Sequence, residues 1–126
     1  MEKDKIERLM QLQMLENQVN QYGEELKIID KQIQELGKLK RDVINLESSK
    51  ETEMISEFSK GIFIKSEIKK ELMVDVGSKI FVSKGFEEIK EIIDFQINKF
   101  EEVKPKIASH IEKINKELDK IINQRY

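Results

Sequence analysis

Residues able to perform covalent or acid–base chemistry are sparse in this chain. His110 is the one histidine, and it stands beside Ile111 in a helical pattern, with no partner at a spacing that would make it a general base. Glu24-Glu25, Glu87-Glu88 and Glu101-Glu102 are adjacent pairs. Neighbours in a helical sequence do not share a face, so these carboxylates are poorly placed to divide acid and base roles or to hold a metal. Cysteine is absent, which removes disulfides, thiolate metal sites and thiol nucleophiles and fits a reducing compartment. There is no G-x-x-x-x-G-K-[ST] phosphate loop. The sequence assigns no catalytic residue, no metal ligand and no cofactor, and the expectation is a protein that is not an enzyme.

What remains is apolar chemistry in two places. Ile6, Leu9, Met10 and Met14 near the start, with Leu118, Ile121, Ile122 and Tyr126 near the end, include more large apolar side chains than one helix–helix seam can bury. Exposed groups of this kind suit a surface that holds unfolded chains, and methionine adapts to many partners. In the middle of the chain, Ile62, Ile64, Leu72, Val74, Val76, Ile80 and Val82 recur at every second residue. That is the face of a half-buried sheet and a candidate oligomerisation surface.

Three zones must position these groups. Over residues 4–48, Leu12, Leu15, Val19, Tyr22, Leu26, Ile29, Ile33 and Leu36 step alternately by three and four, Lys40 takes the next position and Val43 resumes the series. This heptad register is what two helices wrapped around each other require. A helix of about 45 residues would be ~65 Å long. Gly23 and Gly37 lie inside it, and the seam on either side predicts that the helix continues through both. Over residues 86–124, Phe86, Ile89, Ile93, Gln96, Phe100, Val103 and Ile107 step the same way, and Ile111, Ile114, Leu118 and Ile121 continue. The steps at Ile107 are four and four, which predicts a stutter, and Pro105 beside it predicts a kink or short break. Two helices of matched length predict an antiparallel hairpin, with the start of the first beside the end of the second.

Between them, residues 52–84 change to a period of two, with turn signals at Ser59-Lys60-Gly61, Lys69-Lys70-Glu71 and Gly77-Ser78. Strands over 53–58, 62–69, 72–76 and 79–84 would form two β-hairpins. Two hairpins close no core and leave strand edges open, so the economical outcome is oligomerisation into a shared barrel. The predicted fold class is α+β dominated by helix: a long antiparallel two-helix coiled coil joined by two β-hairpins that form part of an oligomeric β-barrel platform, in a single domain over 1–126.

The β segment carries a family resemblance. Gly61-Ile62-Phe63-Ile64-Lys65-Ser66-Glu67-Ile68 is similar to the G-V-F-V-K-A-E-I stretch of alpha-type prefoldin subunits, and Leu72-Met73-Val74-Asp75-Val76-Gly77 to their L-V-D-V-G stretch. Ile80-Phe81-Val82-Ser83-Lys84 looks like the last strand leading into the second helix. The sequence-specific part covers about residues 55–88. Ser56 and Ser59 stand where the family more often has proline or an apolar residue, and Pro105 is a further departure. Four strands resemble the alpha type, since the beta type has a single hairpin. The resemblance implies a hexamer of two alpha and four beta-type subunits, an ATP-independent chaperone whose coiled-coil tips hold unfolded polypeptide clients and pass them to a group II chaperonin.

Composition agrees with this class. Charged residues make up 38% and aromatics 6%, as in long Glu/Lys/Ile/Leu helices rather than an aromatic-rich globular core. Net charge is -2 with both signs mixed along the chain, which speaks against nucleic acid as a partner. No apolar run approaches a membrane span and no signal-like segment opens the sequence, so the expectation is no membrane and a cytoplasmic location. The competing reading is a structural coiled-coil scaffold, or a filament-forming homo-oligomer of the same fold without client transfer.

Overall fold

The computed structural model describes residues 2–123. Its elements in chain order are α1 (Glu2–Ser48), β1 (Glu53–Ser59), β2 (Ile62–Glu67), β3 (Leu72–Asp75), β4 (Phe81–Lys84) and α2 (Phe86–Asn123). The strands pair antiparallel as two separate hairpins, β1 with β2 and β3 with β4. By contacts the chain divides into two compact units: residues up to Leu36 with those from Gln96 onward, and Gly37–Phe95.

In the first unit the helices run antiparallel. The Tyr22 and His110 rings stack with centroids 5.5 Å apart, and Lys104 Nζ lies 2.7 Å from Asp30 Oδ1. Leu15 and Ile107 are buried there. In the second unit the helix segments are also antiparallel. Lys40 pairs with Asp94 at 2.7 Å and Lys90 with Glu47 at 2.9 Å, beside buried Val43 and Ile93.

The α1 seam falls where its heptads put it, with Leu12 to Val43 covered along one face. The α2 seam differs from the sequence reading. Gln96 and Val103 are exposed, whereas Ile97 and Lys104 are half-covered. With Lys90 and Lys104 counted as members, the line Phe86, Lys90, Ile93, Ile97, Phe100, Lys104, Ile107, Ile111, Ile114, Leu118 and Ile121 alternates four and three, with Ile89 and Asp94 half-covered beside it, and no stutter falls at Ile107. A lysine holds a seam position because its methylenes lie along the apolar surface while its ammonium reaches an acid on the other helix. Lys104 does this with Asp30 and Lys90 with Glu47.

Helix α2 also runs through Pro105 without the expected break. Pro105 lies on the exposed side, so the carbonyl that loses its N–H partner can be hydrated. Phe100, Lys104 and Ile107 hold the flanking turns against α1.

Turn chemistry fixes the strand ends. Gly61 has φ 76° in the Lys60-Gly61 turn, a conformation that glycine adopts without steric cost. Gly77, Ser78 and Lys79 have φ of 121°, 51° and 61°. That left-handed run delays the last strand to Phe81, two residues later than its apolar alternation implies. The loop is held by Val76 N–H donating to Ile80 O at 2.9 Å and Gly77 N–H to Asp75 Oδ1 at 2.9 Å.

Helix α1 passes through Gly23 and Gly37, and a Cβ at either position would meet nothing within 4 Å. Gly23→Ala and Gly37→Ala should each raise stability by about 1 kcal/mol in urea denaturation. A second expectation concerns pH. Hydrogen bonds to Glu87 and Glu47 raise the Lys90 pKa, and the Asp30 carboxylate raises that of Lys104. A lysine that holds its proton more tightly when folded contributes in full below its unfolded value of 10.5, and loses that contribution as pH rises through the higher folded value. Melts of Lys104→Met should therefore fall less than those of the parent as pH rises above 10.5, and the difference should shrink in high salt.

Candidate functional site

Two surfaces carry unsatisfied apolar groups. The first is the hairpin pair. Every described residue from Thr52 to Lys84 is exposed or half-buried, none buried. The register divides the side chains between faces. In the first hairpin, Met54 opposite Ser66 and Ser56 opposite Ile64 define one face, and Ile55 opposite Lys65 and Glu57 opposite Phe63 define the other. A register shift between Glu57 and Ser59 leaves Phe58 at a bulge, 70% exposed. In the second hairpin, Leu72, Val74, Val82 and Lys84 share a face, and Met73, Asp75, Phe81 and Ser83 share its reverse.

The sequence-derived set is thus laid out as follows. Leu72 and Val74 are half-buried, while Ile62, Ile64 and Val82 are exposed on strands. Val76 and Ile80 lie in the loop between β3 and β4, both exposed. Sequence reasoning missed the reverse faces, where Ile55, Phe63, Met73 and Phe81 are equally bare. The signal was present in Ile62-Phe63-Ile64, Leu72-Met73-Val74 and Ile80-Phe81-Val82. Consecutive apolar residues mark strands meant to be covered on both faces, whereas strict alternation marks one.

The second surface is at the free ends of the helices. Leu12 and Leu15 turn into the seam, whereas Ile6, Leu9, Met10 and Met14 are exposed. At 100° per residue these four fall within an arc of about 140°, centred on nearly the opposite side of α1 from Leu12 and Leu15. Met10 and Met14 line a shallow groove with Gln13 and Asn17. On α2, Leu118 and Ile121 are half-buried, and Ile121 shares a hollow with Gln11, while Ile122 is exposed. Tyr126 lies outside the described residues. Exposed apolar side chains also occur farther along the helices, at Ile28, Leu39, Ile44, Ile92, Phe95 and Val103. What distinguishes the end of α1 is four of them gathered into one stripe.

Among the described residues, no group of three His, Cys, Asp or Glu could hold a metal. His110 is engaged in the stack on Tyr22. No helix of the described residues is long and apolar enough to cross a membrane.

This arrangement, helix–two hairpins–helix with exposed apolar groups on the strands and at the helix ends, is that of an α+β protein dominated by a two-helix coiled coil. The family model described as prefoldin subunit matches residues 10–124. Prefoldin subunit alpha from Methanococcus vannielii is 31% identical over 119 residues, covering 90% of this chain and 78% of the relative. The fold is similar to that of a filamentous PFD from Methanocaldococcus jannaschii determined by cryo-EM, with TM-score 0.73, 16% identity and coverage of 91% and 98% of the two chains. The chain belongs to the prefoldin family and is of the alpha type. Prefoldins are non-enzymatic chaperone subunits, and membership implies assembly with other prefoldin subunits.

If the hairpin faces are the assembly surface, Val74→Asp should abolish it. The carboxylate would stand directly opposite Val82, and burying it unpaired is costly. Light scattering should report a loss of assembled mass, with helical circular dichroism unchanged.

Proposed function

We propose that this chain is one subunit of an ATP-independent holding chaperone. Its hairpins join those of other prefoldin subunits, including beta-type chains in a hexamer of two alpha and four beta. The ends of its helices hold non-native polypeptides and pass them to a group II chaperonin. The observation that carries client binding is the stripe Ile6, Leu9, Met10 and Met14, exposed on the side of α1 turned away from its partner helix. An unfolded segment laid along it covers a few side chains at ~25 cal/mol per Å² of apolar surface, so a single end binds weakly and releases without an energy source. Several ends in one assembly raise the local concentration, and avidity replaces affinity. A cytoplasmic location goes with this reading.

A second reading is a filament-forming homo-oligomer or scaffold of the same fold. The filamentous form of the similar archaeal PFD favours it. The two part at the helix ends, which a scaffold built on hairpin contacts does not need. Removing about ten residues from each end should leave the number of subunits per oligomer unchanged in native mass spectrometry and abolish suppression of client aggregation. Full suppression by the truncated assembly would refute the assignment of the ends.

A further inference from the structure

Helix α1 ends without a basic residue in its last turn, so its own side chains leave the negative end of the helix dipole uncompensated. A lysine from elsewhere supplies the charge. Lys70 Nζ donates to the backbone carbonyl of Ser49, and lies 3.5 Å from that of Glu47. Lys70 is half-buried and belongs to the short joint between the two hairpins, 21 residues beyond Ser49. Just before it, Ile68 N–H donates to Thr52 O at 2.7 Å. Together these contacts bind the joint to the segment through which α1 enters β1.

The backbone at Lys70 argues for a role of the side chain. Its φ is 37°, in the left-handed region. The turn at Gly61 meets the same demand with glycine, φ 76°. A lysine at such a position carries a conformational cost, and its ammonium is what a glycine could not provide.

We infer that Lys70 is a positioning residue for assembly: its ammonium clamps the joint between the two hairpins to the carbonyls of Glu47, in the last turn of α1, and Ser49, just beyond it, fixing how their apolar faces are presented together. The inference rests on the reading of the hairpins as the assembly surface. A charged donor on backbone carbonyls is among the stronger hydrogen bonds. Without it the backbone contact of the joint opens more often and the joint samples more orientations, and each subunit contact must then also restrict that freedom.

Four variants of the full chain separate the possibilities: Lys70→Met keeps the stem and removes the charge, Lys70→Gly also relieves the backbone, Lys70→Arg keeps the charge, and Lys69→Met alters the exposed neighbour. Assembly is measured by native mass spectrometry across a dilution series, alone and with a beta-type prefoldin chain. Exchange of the Ile68 amide is measured by NMR at high dilution. Lys70→Met and Lys70→Gly should lose about tenfold in assembly affinity and exchange Ile68 faster, with helical circular dichroism unchanged. Lys70→Arg and Lys69→Met should match the parent. Parent-like assembly by Lys70→Gly or Lys70→Met overturns the inference, as does unchanged Ile68 exchange in both. Should the parent itself fail to assemble while Ile68 exchange responds to Lys70→Met, the assembly reading fails and with it the positioning role, leaving only a local clamp.

Discussion

A two-stranded ribbon has two faces and two free edges, and in this chain no residue of either hairpin is buried: Leu72 and Val74 are half-buried and the other apolar strand residues are exposed. The buried apolar residues among those described, Leu15, Val43, Ile93 and Ile107, all lie on the helices. Each strand pairs on one side only. Isolated hairpins are marginal in water, and bare edges and faces recruit further strands. A sheet completed by other subunits would supply the missing cover, and prefoldin membership implies assembly with other prefoldin subunits. Apolar residues on both faces of each ribbon call for cover on two sides, more than a single added layer would supply.

The helices solve a different problem. Their seam is satisfied by each other, and it is not uniformly apolar. Lys40, Lys90 and Lys104 sit along it, each paired with an acid on the opposite helix. Such pairs are partly solvated and add little stability. Their value is in register, because a lysine at a seam position is tolerated only where its acid stands opposite. The stacked Tyr22–His110 pair is a further fixed point. In the unit that holds the free ends, the Lys104–Asp30 pair and the Tyr22–His110 stack set the two helices beside each other, and the stripe Ile6, Leu9, Met10 and Met14 on the far side of α1 stays exposed.

Much of this was legible in the residues. The change of apolar spacing from heptads to alternation and back gave the element order, and the hairpins follow their turn signals. The strand ends were harder, because apolar alternation through Ile80 does not reveal that Gly77, Ser78 and Lys79 turn left-handed. The α2 seam was misread where hydrophobicity and coverage part: Val103 looks like a seam residue and Lys104 does not, yet Lys104 has an acid to reach. Counting only apolar side chains produced a stutter at Ile107 that is not there. Pro105 looked like a break because its cost was weighed without the packed turns on either side. The reverse faces of the hairpins are written in triplets such as Leu72-Met73-Val74, which strict alternation, the mark of one wet face, does not describe. Lys70 stood inside a recognised turn signal, but its target, the carbonyls of Ser49 and Glu47, is a matter of three-dimensional proximity.

The dependence of the hairpins on other subunits is tested most directly by hydrogen exchange of the strand amides at two concentrations. In the dilute, unassembled chain the amides of β1 to β4 should exchange far faster than those in the seam of α1 and α2, and on assembly they should become the slower set. Strand amides as well protected in the isolated chain as in the assembly would mean that each ribbon is stable without a neighbour, and that assembly is not what holds the hairpins in place.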